Sequence, residues 1–274
     1  MNDIKKHINA RRSVRNFDGR VLDETTKAQL MDYAKEICNP FGLPVEFKYL
    51  ETKRDGLSCP VVSGTELYVG GKIKNVPHAN EAFGYTFEEF ILFVQSLGLG
   101  TVWLGGTINR DAYEKAMDLG EDEMMPCATP IGYTAQKISV REIMMRKAIK
   151  ADERQPFEAL FFDGDFDTPL TKEKAGVLAE PLEMVRLAPS AVNKQPWRVV
   201  VTENAAHFYL KRRKGSTNEG HEGKMDMQKV DMGIALCHFA LTAKENGLQL
   251  TFSQENPEIK MEFEGEYIGT YRFK

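Results

Sequence analysis

Three guanidinium side chains, Arg11, Arg12 and Arg15, fall within five residues of one another, with the hydroxyl of Ser13 between them. A guanidinium is a rigid fork of N–H donors that stays charged at any working pH, so the group suits a bound phosphate better than a transient proton transfer. A solvated basic face has the same composition, and the run alone does not separate the two. A second polar cluster is Ala188-Pro189-Ser190-Ala191-Val192-Asn193-Lys194-Gln195-Pro196-Trp197, followed by the strand-like Arg198-Val199-Val200-Val201. Its prolines restrict the backbone, while Ser190, Asn193 and Gln195 offer donors and acceptors, as a binding loop does and as an ordinary Ser or Asn turn also does.

Composition limits what these clusters can serve. The chain has 274 residues, 42% apolar and 28% charged, enough for one large domain or two coupled halves with a buried core. Lys plus Arg number 36 against 40 Asp plus Glu, a net charge of −4, so no global positive field exists to hold a nucleic acid and any anion site is local. Apolar stretches such as residues 90–94 are far short of the ~20 residues of a membrane span. Residues 1–12 lack the apolar core of a secretory signal, which makes the cytoplasm the default address.

Cys38, Cys59, Cys127 and Cys237 form no CxxC pair, and His7, His78, His207, His221 and His238 have no HExxH spacing, so no metal site is expected. Gly64, Gly70 and Gly71 make no phosphate loop. The basic run Lys211-Arg212-Arg213-Lys214 reads as a solvated loop, and residues 215–223 as a mobile cover over a site.

The elements that position the clusters show an internal repeat. Residues 83–99 align without a gap on residues 232–248, at an offset of 149. Both copies carry apolar residues at helical spacing, and both end in Gly-Leu, Gly98-Leu99 and Gly247-Leu248, where glycine can take the left-handed conformation that stops a helix. Strands are expected after them at residues 102–104 and 250–252. Weaker matches pair residues 22–30 with 170–178, Pro40 with Pro189, and 47–50 with 199–201. Each half then runs helix, turn, strand, loop-rich stretch, long helix, strand, an α+β order in which residues 157–167 cross between halves. Two unrelated amphipathic helices would share the apolar spacing but not the offset across several blocks.

The opening Arg11-Arg12-Ser13-Val14-Arg15-Asn16-Phe17 and the loop from Ala188 to Trp197 resemble the nitroreductase family of flavin enzymes, as do residues 98–106 (GLGTVWLGG) and Pro130-Ile131-Gly132-Tyr133. One departure stands out. In ordinary members the Arg-rich opening and the loop lie about 25 residues apart in one half, and a homodimer builds its two sites by exchanging them. Here the opening begins the first half and the loop lies in the second, and the first half has only Asn39-Pro40-Phe41-Gly42-Leu43-Pro44 at the loop position. The chain therefore resembles nitroreductases with two halves fused in one polypeptide.

The resemblance implies an α+β, nitroreductase-like pseudo-dimer with central antiparallel-type sheets flanked by helices, divided as residues 1–167 and 168–274. It implies one composite FMN site per chain, possible as a monomer. Arg11, Arg12 and Ser13 would hold the phosphate and Arg15 would lie near the pyrimidine edge. Pro189, Ser190, Ala191, Asn193 and Gln195 would contact ring and ribityl chain, and the backbone of Gly105 and Gly106 would approach N5. Arg154 is the best match to a further phosphate ligand, ahead of Lys147 and Lys150. The implied activity is NADH or NADPH oxidation by a ping-pong route, with quinones or nitroaromatics as acceptors. No catalytic side chain is required, because the flavin carries the chemistry. A non-catalytic flavin-binding module, or a flavin-fragmenting or dehalogenating relative, would share the same cofactor residues. Residues 52–79 match the family poorly and leave the substrate open.

Overall fold

The computed structural model describes residues 1–137, 139–212 and 225–274. Arg213, Lys214, the cover expected at residues 215–223 and, within it, His221 lie outside the described residues. In chain order the first half comprises α1 (Ile4–Ala10), α2 (Glu24–Glu36), β1 (Glu46–Glu51), α3 (Thr52–Asp55), β2 (Leu67–Lys74), α4 (Ala79–Ser96), α5 (Arg110–Ala116), β3 (Glu123–Met124), β4 (Ala128–Pro130) and α6 (Val140–Ala148). There follow β5 (Phe161–Asp163), α7 (Lys172–Ala175), α8 (Ala179–Leu187), β6 (Trp197–Thr202), β7 (Ala205–Lys211), α9 (Met227–Glu245), β8 (Leu250–Ser253) and β9 (Gly265–Phe273).

The architecture is α+β. β2 carries β1 along one edge and β3 and β4 along the other, all antiparallel. The second sheet has the order β5-β6-β7-β9-β8, antiparallel except for the β5–β6 pair. β5 comes from the expected crossing segment, so residues before the 167/168 boundary complete the second half's sheet.

Between the sheets lie α4 and α9, the two aligned segments of the sequence. Both are apolar on nearly every face, and a helix that is apolar all round is stable only when covered on all sides. Most side chains of each are buried, including Phe83, Phe87, Phe90 and Ile91 in α4 and Val230, Leu236, Phe239 and Ala240 in α9. Both stop as their Gly-Leu endings imply: Gly98 and Gly247 take φ of 74° and 84°. A shared core then runs from Phe83 and Phe87 through Trp197 and Val199 to Leu236 and Phe239.

One expected strand does not form. Around residues 102–104 the chain makes isolated bridges instead, Gly100 to Gly132 and Leu104 to Ala128, on one antiparallel register. On that register Val102 faces Pro130, which has no N–H to donate, and the Val102 N–H turns to the Thr129 hydroxyl at 3.2 Å instead. The C-terminal copy, β8, has no such interruption and pairs with β9.

α1 is a short helix with no counterpart in the sequence reading. Its Ile4 and Ile8 pack on Leu92 of α4 and Met184 of α8. Lys5 bonds Glu180 at 2.9 Å, and the Asn9 amide lies 3.7 Å from the Met184 sulfur. The contacts advance together along both helices, so α1 and α8 run side by side in the same direction. Their C-terminal ends emerge together, one leading into Arg11 and the other into Ala188.

Candidate active site

That shared exit brings the two sequence clusters into one cleft. Arg11, Arg12, Ser13, Arg146, Arg154, Pro189, Ser190 and Asn193 are among the residues lining a pocket of about 110 Å³. It adjoins a larger, mainly apolar cavity of about 360 Å³, within the usual ~300–1,000 Å³ of small-molecule sites. Ser13, Ile149, Pro189 and Ser190 line both. The larger cavity also receives Arg15, Gly105, Gly106 and Ala191, with Trp103, Leu104, Cys127, Met227, Asp231 and Ile234 making much of its remaining wall.

The smaller pocket gathers positive charge. The Arg11 side chain is only 7% exposed, and its Nε lies 3.7 Å from the wholly buried Glu88 carboxylate. Burial lowers the Arg11 pKa, Glu88 raises it and Arg146 lowers it again. For Arg154, burial and then Arg11 are the leading causes of a lowered pKa. These groups remain cations near neutral pH, so they repel one another, and an anion between them would relieve that repulsion. Arg154 donates to the carbonyls of Ala151 at 2.8 Å and Leu187 at 3.3 Å, the latter at the C-terminal end of α8. Its Nε, like that of Arg15, is buried with no hydrogen-bond partner among the described residues. Arg12 donates to Glu142 at 3.1 Å, and the Arg15 backbone N–H meets the same carboxylate at 3.2 Å.

The loop before β6 is held in a costly shape. Val192, Asn193 and Gln195 have φ of 51°, 54° and 48°, a left-handed region that is especially unfavourable for a β-branched residue such as Val192. Strain of this kind persists only where surrounding bonds over-determine it. Here the Ser190 hydroxyl accepts the Gln195 N–H at 2.9 Å, and the Asn193 amide donates to the carbonyls of Lys150 at 2.6 Å and Glu153 at 3.0 Å. The Gln195 side-chain oxygen Oε1 accepts the Gln155 backbone N–H at 2.9 Å. Gln195 is thus buried behind the wall, outside the lining of both cavities, and Asn193 spends its amide N–H groups on the chain that carries Arg154. Pro189, Ser190 and Ala191 face the larger cavity.

Gly105 and Gly106 lie on that cavity as well. A Cβ at Gly106 would meet nothing within 4 Å, and one at Gly105 would make ordinary contacts with Cys127 and Met227, so protein packing does not demand either glycine. What their smallness keeps clear is the cavity itself. Arg110 holds this turn by donating to the carbonyls of Gly105 at 3.0 Å and Pro126 at 3.1 Å.

Several site residues escaped sequence reasoning. Glu88, with no exposed surface, accepts the Trp103 indole N–H at 2.9 Å, and the same carboxylate bonds His238 Nε2 at 2.9 Å. His238 Nδ1 faces the Met184 carbonyl at 2.9 Å, which can only accept, so that nitrogen carries a proton. This hub ties α4, α9, α8 and the cavity wall together behind Arg11. Asp231 is equally hidden. The available signal was an ionisable residue inside an otherwise apolar helical run, since a buried charge needs a partner or a purpose. Among the described residues, no group of three or more His, Cys, Asp or Glu side chains is placed to hold a metal ion, and no helix is long and apolar enough to cross a membrane.

The fold and this two-part cleft define a nitroreductase-like α+β protein. The chain belongs to the nitroreductase family described as "Putative TM nitroreductase", whose model matches residues 3–243. It is similar in fold to a "putative nitroreductase" crystal structure from Thermotoga maritima, with 22% identity and a TM-score of 0.62 over 100% of this chain and 93% of that one. A "putative NADH dehydrogenase/NAD(P)H nitroreductase" from Bacteroides thetaiotaomicron covers 51% of this chain and 90% of its own, at 17% identity and a TM-score of 0.43. An "FMN-dependent nitroreductase" from Clostridium difficile covers 48% and 88%, at 14% identity and a TM-score of 0.42. No curated protein matches the chain in sequence.

Proposed function

We propose that this protein is an FMN-dependent NAD(P)H oxidoreductase that reduces quinones, nitroaromatics or similar electron-poor acceptors. The observation that carries the reading is the continuity of a guanidinium-lined pocket with a mainly apolar cavity through Ser13, Pro189 and Ser190. A flavin mononucleotide has that division of chemistry, a dianionic phosphate at one end and a planar ring at the other. The unpartnered Nε atoms of Arg15 and Arg154 fit the same ligand.

Arg11, Arg12, Ser13 and Arg154 hold the phosphate in this reading, with Arg146 as a further cation. Arg15 sits at the pyrimidine edge, where a fixed cation favours the negative charge of the reduced ring. Pro189, Ser190 and Ala191 form one wall, Gly105 and Gly106 leave room for close backbone approach, and Asn193 and Gln195 shape the loop. When bound, FMN supplies hydride transfer from NADH or NADPH to the acceptor, in two half-reactions that give ping-pong kinetics. The protein contributes binding, orientation and an open face. We further infer that the halves on either side of residue 167 are fused copies sharing one site, so that a monomer can serve as a pseudo-dimer, and that the chain works in the cytoplasm on small molecules.

The test is an absorbance spectrum with the protein-to-flavin ratio, followed by NAD(P)H oxidation with and without FMN and an added quinone. A yellow protein whose NAD(P)H oxidation needs both additions is expected. Protein that stays colourless after FMN addition removes the reading, and bound flavin that NAD(P)H does not bleach reduces it to a binding module.

A further inference from the structure

Asp231 lies near the start of α9, is 1% exposed, and lines the larger cavity. Its Oδ1 accepts the Ala191 N–H at 2.9 Å, which ties the carboxyl to the strained loop. Its Oδ2 is buried and has no hydrogen-bond partner among the described residues. The walls beside it, Cys127, Met227 and Ile234, are apolar. A carboxylate with one free oxygen in such surroundings is costly, and the usual remedy is to keep the proton.

A neighbouring carboxylate acts in the same sense. Burial raises the Asp231 pKa well above the ordinary carboxylate range, the Ala191 N–H opposes this, and the carboxylate of Asp226, the N-cap of the same helix, adds to it. Arg15, the cation of the same cavity wall, answers to Glu142 and Arg146, and Arg110 acts on Cys127. The positive end of the α9 dipole favours the charged form but is worth less than a full counter-charge.

We propose that Asp231 is a neutral carboxylic acid whose Oδ2–H donates a hydrogen bond to a carbonyl oxygen or ring nitrogen of the flavin. A protonated Oδ2 is a donor lacking an acceptor, and the cavity's occupant is what can supply one. Asp231 is almost wholly buried in the cavity wall and bonded to Ala191 of the loop that the flavin reading sets against the ring, which makes the resident ring, rather than a transient electron acceptor, its partner. The assignment rests on the flavin reading given above.

Two measurements test it. Infrared difference spectra of the flavin-free protein at neutral pH, wild type minus Asp231→Asn, are expected to show the carbonyl stretch of a protonated carboxylic acid; its absence overturns the proposal. FMN affinity and the midpoint potential of the bound flavin are then compared in Asp231→Asn, which keeps an acceptor for Ala191 and an N–H donor, and in Asp231→Leu, which keeps neither. Asparagine is expected to bind FMN within about twofold of wild type, and leucine roughly tenfold more weakly with a shifted potential. Equal losses in both variants would mean that the charged carboxylate is needed, and would overturn the proposal. So would a leucine variant with unchanged affinity and potential and only a raised KM for the quinone. If leucine does not fold, the infrared band and the asparagine variant still decide. A wild type that binds no FMN defeats the flavin reading, whereas these variants defeat only the assignment of Asp231.

Discussion

Gly84 in α4 and Gly233 in α9 are each pressed against the backbone carbonyl three residues before the other. A Cβ built on Gly84 would lie 2.0 Å from the Val230 oxygen, and one built on Gly233 would lie 2.0 Å from the Glu81 oxygen. Both pairs keep the 149-residue spacing of the repeat, so exchanging the two helices reproduces the contact. Reciprocity of this kind is what a twofold axis imposes on a dimer interface, and here it occurs within one chain. It is the strongest geometric support for two fused halves.

Gly84→Ala and Gly233→Ala should each cost about 3 kcal/mol, because the methyl group meets backbone that cannot swing aside as a side chain could. Denaturant midpoints measured at constant m-value check this. Similar losses at the two positions are expected, and a neutral effect at either would contradict the close crossing.

Arg11→Ala should weaken FMN binding by about 1.5–3 kcal/mol, the loss of one charge-assisted contact, or roughly 10- to 150-fold in Kd. It also leaves the buried Glu88 without its cation, so flavin-free stability should fall modestly as well. Fluorescence titration and thermal melts separate the effects. Equal flavin affinity in wild type and variant would remove Arg11 from the phosphate shell.

Flavin titration should saturate at one per chain. At the same 149-residue spacing Phe41 corresponds to Ser190 and Phe252 to Trp103, and those two phenyl rings meet edge-to-face at 5.1 Å, with His78 stacked on Phe41 at 5.4 Å. Aromatic side chains thus occupy the counterpart of the cavity. A second equivalent of tightly bound flavin would overturn the single composite site.

Val192→Asn should raise stability by about 1 kcal/mol, since asparagine tolerates the left-handed backbone that a β-branched side chain resists. Val192 is half exposed and gives up little burial in the exchange. Urea unfolding of the flavin-free protein measures it, and a destabilised variant would show that the strain has been overestimated.

His207 gives the pH dependence a definite sign. It bridges the hydroxyls of Thr202 at 3.1 Å and Thr270 at 2.7 Å, and burial followed by Arg272 lowers its pKa. The unfolded state therefore binds more protons than the folded one just below the unfolded pKa of about 6.5, and stability falls as pH drops through that value towards the folded pKa. Above about 6.5 the contribution is fully present. Unfolding midpoints between pH 7.5 and 5.5, roughly spanning that range, should decline in the wild type and decline less in His207→Gln.

Much of the architecture could be read locally. The helical spacing of residues 83–99 and 232–248, and the glycines that end them, depend on neighbours a few residues away, and both glycines take the expected conformation. The strand after Trp197 and the one from Leu250 formed for the same reason. Residues 102–104 failed as a strand because Pro130, far along the chain, withholds an N–H. Gln195 was expected at the ligand and instead braces the wall from behind, because its side chain met the Gln155 backbone across a distance in sequence that no local pattern encodes.

By itself the amino-acid order determined the family resemblance, the α+β alternation, the two-part repeat and the identity of both polar clusters, since residue type and spacing suffice for these. Tertiary structure alone decided that the clusters meet: α1 and α8 lie side by side because Ile4, Ile8, Leu92 and Met184 bury one another, and so both helices end at the same cleft. It also decided which ionisable groups face inward. Burial and the approach of Glu88 to His238 and of Asp231 to Ala191 are sums over distant contacts, and those sums exist only once the chain is packed.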